Sequence, residues 1–386
     1  MITISNNIRY VGCDDAEMNL FESQYATPDG MCYNSYVILD EKVAIMDTVD
    51  PRKTQEWLAN VKQVLDGRKP DYLVVHHMEP DHSGSIAAAV EAFPDMTIVA
   101  SAMAIKFMGQ FDEGFKAATM AVKEGDTLSL GSHTLTFVAA PMVHWPEVMV
   151  SYEEKEQVLF SADGFGKFGV YHADEDDWAC EARRYYFNIC GKYGANVSTL
   201  LKKAAPLTIS KILPLHGPVL EGEKMAEALR LYAIWSSYGV ETKGILVAYA
   251  SIHGGTKACA EKLAEILEQK GAPKVAVADL CRDDMAEAVE DAFRMDRMVL
   301  AAASYDADVF PPMHYFLHKL ALKGYRGRRV GLIENGTWAP TAGRVMRQML
   351  EGMKDIEIVE PMVTIKSRMH SGDMAQLEAL ADAMLK

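Results

Sequence analysis

The apolar run Tyr72-Leu73-Val74-Val75 leads directly into His77-Met78-Glu79-Pro80-Asp81-His82, and this stretch restricts the possible folds more than any other. A short apolar run ending in alternating His, Glu and Asp reads as a buried strand that delivers ligands to a metal site at its C-terminal end. The same local grammar, strand then polar turn, recurs three times. His144 follows Leu135-Thr136-Phe137-Val138, Asp163 follows Val158-Leu159-Phe160, and His216 follows Ile212-Leu213-Pro214-Leu215. Four strand ends converging on one point call for a sheet architecture whose loops share an edge.

His77, His82, His144 and His216 with Glu79, Asp81 and Asp163 make four imidazoles and three carboxylates. That set is too large for one metal and suits two with one ligand shared. A carboxylate bridges two cations through its separate oxygens, and Asp163, alone on its strand end, is the natural bridge. Hard anionic oxygens beside imidazole suit iron, which must be stabilised in two oxidation states, so a redox pair of irons is expected. Any one of these residues alone would more often be a satisfied core or surface group; the joint pattern carries the inference. His76 is out of phase with His77 on a strand and is read as structural, as are His133, His172, His314, His318 and His370.

The spacing His77-x-Glu79-x-Asp81-His82, with 61 residues intervening before His144, 18 before Asp163 and 52 before His216, resembles the flavodiiron proteins, or A-type flavoproteins. The resemblance implies an α/β fold: an N-terminal metallo-β-lactamase-like αββα domain with a non-haem diiron centre, then a flavodoxin-like doubly wound five-stranded parallel sheet that binds FMN. It implies two irons per chain, one held by His77, Glu79 and His144, the other by Asp81, His82 and His216, with Asp163 between them. Zinc hydrolases of the same general plan favour His where this chain has Glu79. The interval before His216 is shorter than in the family pattern, which places a deletion within 170–181, near the expected pocket rim.

The chain has 386 residues, more than one hydrophobic core normally serves, and two cores are expected. A net charge of −15 argues against a nucleic-acid or anionic-membrane surface, which would need clustered Lys and Arg. Six cysteines stand far apart without a CxxC pair, which fits buried or free thiols in a reducing compartment. The start Met1-Ile2-Thr3-Ile4-Ser5 has no signal-peptide pattern, and no apolar run approaches the roughly 18 residues of a membrane span. A cytoplasmic location is expected. The domain break is expected near Trp235-Ser236-Ser237-Tyr238-Gly239, giving a diiron domain over 1–240 and an FMN domain over 243–386.

From Gly244 the pattern alternates strand and helix: strands at 245–249, 274–279, 298–302, 329–333 and near 356–359, with helices at 257–269, 285–293, 312–322, 341–353 and 373–385. Such alternation implies a parallel doubly wound sheet with ligand loops at the strand C-terminal ends. Ser251-Ile252-His253-Gly254-Gly255-Thr256 joins the first strand to the first helix, where hydroxyls and glycine-exposed amides hold a phosphate monoester. It resembles the flavodoxin phosphate loop, with His253 in place of a hydroxyl residue. Ser304-Tyr305-Asp306-Ala307-Asp308-Val309-Phe310 and Asn335-Gly336-Thr337-Trp338-Ala339 resemble the isoalloxazine-contacting segments, with Tyr305 and Trp338 placed to stack on the flavin or shield it.

Two irons and one FMN carry four electrons, enough to reduce dioxygen to water, while two electrons reduce two nitric oxide molecules to nitrous oxide. The resemblance implies one or both activities. By resemblance alone Phe21, Glu22, Trp145, Tyr185 and Tyr186 are pocket candidates, with Glu22 standing where some members have His. It also implies an external donor, rubredoxin or another reduced carrier, and a head-to-tail homodimer or a dimer of dimers. Two competing expectations differ in class. A dinuclear zinc hydrolase with a flavodoxin-like accessory domain would cleave at a metal-bound hydroxide. A non-catalytic flavodoxin-type carrier would leave the seven ligands without a purpose.

Overall fold

The structure is a computed structural model and describes residues 2–173 and 177–386, so part of the segment expected to carry the deletion, 174–176, lies outside the described residues. The chain divides into two compact units, Met1–Tyr186 with Ala195–Ala233, and Phe187–Gly194 with Ile234–Lys386.

The first unit is built on two six-stranded sheets. One runs Ile8–Tyr10, Tyr36–Leu39, Val43–Met46, Tyr72–Val75, Thr97–Ser101, Ala118–Val122, antiparallel over its first two pairings and parallel over the rest. The other runs Thr127–Ser129, Thr134–Ala139, Met149–Glu153, Val158–Phe160, Lys211–Leu213, Leu220–Glu221. Alternation along the strands explains how the sheets meet. Ile8, Ile38, Ala44, Met46, Val74 and Val99 face Leu135, Phe137, Met149, Val158, Phe160 and Leu213 in one buried cluster. The opposite face of the first sheet is equally apolar because helix Thr54–Leu65 covers it, burying Trp57, Leu58, Val61 and Leu65. Trp57 satisfies its indole N–H on Ser35 Oγ at 3.0 Å. These layers are the αββα arrangement expected.

The second unit has a five-stranded parallel sheet in the order Val275–Asp279, Thr242–Ala250, Met295–Tyr305, Arg329–Asn335, Glu357–Ile365. That is the 2-1-3-4-5 order of a doubly wound fold, with the switch point beside the first strand. Ile245, Val247 and Tyr249 alternate onto one face and pack under helices Gly255–Gln269 and Met374–Leu385. Strand bounds exceed the sequence expectation at the first, third, fourth and fifth strands, because the apolar pattern alone does not mark where pairing stops. Arg328 is buried and donates to six backbone carbonyls, of Phe293, Met295, Tyr238, Gly239, Arg326 and Gly327. It ties the strand preceding it to the start of the unit.

Candidate metal centre and cofactor cavity

The His77-to-His82 segment splits into two backbone states, and the split sorts its ligands. Glu79 is extended (φ −61°, ψ 138°) and precedes a short helix, Pro80–Ser83, with Pro80 at the first position, where its fixed φ suits the turn. His77 and Glu79 therefore share one side of an extended stretch, while Asp81 and His82 sit on a helical turn. The ligand atoms gather accordingly into two groups, His77, Glu79, His144 and Asp163, and Asp81, His82 and His216, each within 4.8 Å.

Asp163 joins the groups. Its Oδ2 lies 3.2 Å from His77 Nε2 and 3.3 Å from His144 Nε2, and its Oδ1 lies 3.7 Å from both His82 Nε2 and His216 Nε2. Each oxygen thus faces one pair of imidazoles. Glu79 Oε2 stands 2.9 Å from His144 Nε2 and 3.3 Å from His77 Nε2, and Asp81 Oδ2 stands 3.2 Å from His216 Nε2. All four imidazoles present Nε2 to the centre. Yet both oxygens of Asp81 and both of Asp163 are buried without a hydrogen-bond partner. Buried carboxylates without donors are costly unless a cation satisfies them, and this donor set fits two metal ions sharing Asp163.

The electrostatics say the same. Burial disfavours the charged imidazole of His77, but Asp163, Glu147 and Glu79 overcome it and hold His77 well above its ordinary value. His144, opposed by burial and supported by Asp163 and Glu79, is raised to about 9. Glu79, against the pull of burial, is lowered to about 2 by His144 and His77, and Asp163 is held far below the carboxylate range by His77, His144 and His82. The carboxylates stay ionised, so the cluster demands positive charge, as protons on imidazole or as metal.

Second-layer groups fix the rings. Glu147, 3% exposed, accepts from His77 Nδ1 and from the Met78 N–H, each at 2.9 Å through Oε1. His216 Nδ1 donates to the Cys32 carbonyl at 2.7 Å, and the next amide, Gly217 N–H, lies 2.9 Å from Cys32 Sγ. Asn34 grips the same loop, donating to the carbonyls of Pro214 and Gly217 at 2.8 and 2.7 Å. Gly217 has φ +83°, and a Cβ there would strike the Lys167 side chain. Sequence reading missed Glu147, Cys32 and Asn34, although a Glu three residues after His144 was a readable signal. His76 turns away from the cluster, bound to Asp47 Oδ2 at 2.5 Å and Ser151 Oγ at 2.8 Å.

Phe21 and Tyr185 stand over His216, ring centres 5.6 and 5.5 Å away, and Trp145 stands edge-on to His77 at 5.2 Å. Tyr33 and Phe168, not singled out from sequence, complete the wall: Tyr33 meets His82 and His216, and Phe168 meets Phe21 and Tyr185. Tyr186 meets Tyr232 edge-to-face at 5.1 Å instead. A cavity of about 430 Å³ opens beside the cluster, lined by Glu22, Glu79, Asp81, Glu17, Asp50 and Arg52 among others. The Glu22 carboxyl is pushed up by burial and by Glu79.

In the second unit a cavity of about 570 Å³ lies at the strand C-terminal ends. Of the residues expected to bind a cofactor, Ser251, Ile252, His253, Gly255, Thr256, Ser304, Tyr305, Asp306, Ala307, Asn335, Gly336, Thr337, Trp338 and Ala339 line it. Asp308 and Val309 instead pair back on Ser304 and Tyr305, Phe310 packs on Tyr305 at 5.6 Å, and Gly254, at φ +84°, caps the helix. Thr341, Ser367 and Arg368 also line the cavity and were not anticipated. Trp338 is 91% exposed at its edge. The volume suits one cofactor, and hydroxyls beside a helix N-terminus are the donor set a phosphate monoester requires.

Known proteins resemble this chain over most of its length. Residues 31–217 match a family described as ODP family beta lactamase. The anaerobic nitric oxide reductase flavorubredoxin of Escherichia coli (strain SMS-3-5 / SECEC) is 29% identical over 352 residues, covering 88% of this chain and 72% of that protein. The rubredoxin:oxygen oxidoreductase of Desulfovibrio gigas superposes with a TM-score of 0.93 at 26% identity, covering 99% of this chain and 97% of the other. The flavodiiron protein of Giardia intestinalis shares the fold, with a TM-score of 0.92 at 24% identity and coverage of 99% and 95%.

Proposed function

Because this chain belongs to the flavodiiron protein family, we propose that it reduces dioxygen to water, nitric oxide to nitrous oxide, or both, in protection against oxygen or nitrosative stress. The single observation that carries this reading is Asp163, a buried carboxylate without hydrogen-bond donors whose two oxygens each face one pair of imidazoles. His77, Glu79 and His144 would hold one iron and Asp81, His82 and His216 the other. The cavity from Ser251 to Arg368 would hold FMN. When bound, the irons and FMN supply up to four electrons, enough for either reduction.

The chain's own residues do the rest. Glu147 and the Cys32 carbonyl orient His77 and His216 so that each offers Nε2. Phe21, Tyr33, Phe168 and Tyr185 wall the His216 side with rings, which keeps water from crowding a small apolar gas at the centre. Glu22, raised by burial and by Glu79, retains a proton to higher pH than an exposed carboxyl and stands at the mouth where protons must arrive. Ser251 and Thr256 sit where a phosphate would meet the helix N-terminus.

The iron role of the expected domain 1–240 and the FMN role of the expected domain 243–386 are part of this proposal, with 187–194 and 234–240 counted in the second compact unit. An external donor, rubredoxin or another reduced carrier, and a cytoplasmic location are proposed with it. So is a head-to-tail homodimer, or a dimer of dimers, in which one chain's FMN serves its partner's irons. The family resemblance favours that pairing. Glu79 in place of His disfavours the zinc hydrolase reading.

The deciding experiment is metal and flavin analysis of anaerobically purified protein, then dioxygen and nitric oxide consumption with one reduced donor. Two irons and one FMN per chain are expected. Stoichiometric zinc without iron, in protein from its native source, would sink the redox reading.

A further inference from the structure

We propose that Arg368, carried by the loop after the fifth strand of the second unit, binds the phosphate of FMN and makes the cavity select a phosphorylated flavin. The inference rests on the reading that this cavity holds FMN. The loops after the first, third and fourth strands were recognisable from sequence; nothing assigned a role to the loop after the fifth.

That loop is built into the cavity wall. Strand Glu357–Ile365 ends in a tight turn in which Arg368 N–H donates to the Lys366 carbonyl at 2.9 Å. Ser367 adopts φ +69°, a conformation that costs a non-glycine residue free energy and persists only where the surroundings determine it. They do so here. Ser367 N–H donates to Asn335 Oδ1 at 2.9 Å, Asn335 Nδ2 donates to the Ser367 carbonyl at 3.1 Å, and the Ser367 and Thr337 hydroxyls meet at 2.8 Å. Asn335 Nδ2 also reaches Thr256 Oγ1 at 3.3 Å. Finally, a Cβ on Gly255 would run into the Ser367 carbonyl, so the turn abuts the first residue of helix Gly255–Gln269. Asn335 thus locks the fifth loop to the phosphate loop, and the next residue in that turn is Arg368.

Among the described residues, Arg368 is the one lysine or arginine lining the cavity, and no hydrogen bond or ion pair occupies its guanidinium. It is exposed, in a chain whose net charge is −15. Such a chain repels a phosphate monoester, which carries about −1.5 to −2 charges at neutral pH. Hydroxyls and a helix N-terminus offer partial charges only; a guanidinium adds a full charge in a fork that fits phosphate oxygens. Riboflavin has the same ring system and no phosphate, so a residue acting on the phosphate separates the two ligands.

The test uses the full chain, stripped of flavin and titrated with FMN and with riboflavin by flavin fluorescence quenching. Arg368→Gln should weaken FMN binding about tenfold or more while leaving riboflavin binding within twofold. Arg368→Lys, which keeps the charge and loses the fork, should fall between. Added salt should weaken FMN binding to the unaltered protein more than to Arg368→Gln. Equal weakening of both flavins would assign Arg368 to holding the turn, and undiminished FMN preference in Arg368→Gln would deny it any part; either result overturns the proposal. An unaltered protein that binds neither flavin would overturn the FMN reading itself, which the variants' failure alone would leave standing.

Discussion

Glu147 offers the sharpest perturbation, because it acts on one iron position only. Its Oε1 accepts both from His77 Nδ1 and from the Met78 amide, and its Oε2 has no partner. Glu147→Gln keeps an acceptor at Oε1 and removes the negative charge that makes His77 a stronger ligand. Loss of such an outer partner weakens metal binding about 10- to 100-fold, and the conservative change belongs at the low end, about tenfold. Glu147→Ala removes the acceptor altogether and strands two buried N–H donors, each costing about 1–3 kcal/mol. It should weaken iron about 100-fold and lower folding stability by a few kcal/mol. His77 belongs to the group with Glu79 and His144, so the loss should fall on one of the two irons. Anaerobic Fe(II) titration of metal-stripped protein reads this directly: two tight equivalents unaltered, one tight and one weak in the variants. Glu153→Gln is the control, since Glu153 is equally buried but serves the Lys155 and Glu156 amides of a hairpin. Iron affinities in both Glu147 variants within twofold of the unaltered protein, or equal weakening of both irons, would refute the reasoning.

Other outcomes follow from the same geometry. Glu79→Ala or Asp163→Ala should abolish substrate reduction while FMN stays bound; joint loss of both cofactors would point to misfolding instead. In metal-free protein, Glu79 is lowered from 4.5 to about 2, so its contribution is complete above pH 4.5 and disappears as pH falls from there toward 2. His144 is raised from 6.5 to about 9, so its contribution is complete below pH 6.5 and is lost as pH rises toward 9. Thermal melts of chelated protein should therefore peak between these limits, and a melting temperature still climbing from pH 7 to 9 would contradict the assignment. Asn34→Ala should cost about 2–4 kcal/mol in denaturant unfolding, because it strands the buried Gly217 carbonyl and Tyr10 hydroxyl and leaves the Pro214 carbonyl to the Tyr36 hydroxyl alone; a loss under about 0.5 kcal/mol would show that water replaces it. Mixed dimers of Asp163→Ala chains with chains altered at Ser251 and Thr256 should regain activity, and verified mixed dimers that stay inactive would rule out transfer between chains.

What was legible in the sequence was whatever local pattern encodes. Alternation and apolar runs marked the strands ending in His77, His144, Asp163 and His216, and the strand and helix succession after Gly244 marked a parallel sheet, because side-chain period is a property of the chain itself. The seven candidate metal ligands were readable because each follows a strand. What only the tertiary structure decided were partnerships across long separations. Glu147 meets His77 from 70 residues away, Cys32 meets His216 from 184, and Asn34 meets Pro214 from 180. No spacing announces such pairs, because sheet packing, not chain proximity, brings them within hydrogen-bond range. The fifth loop taught the same lesson: Arg368 is an ordinary exposed arginine in sequence, and only the Asn335 bridge, which ties its turn to the phosphate loop, gives it a place in the cavity wall.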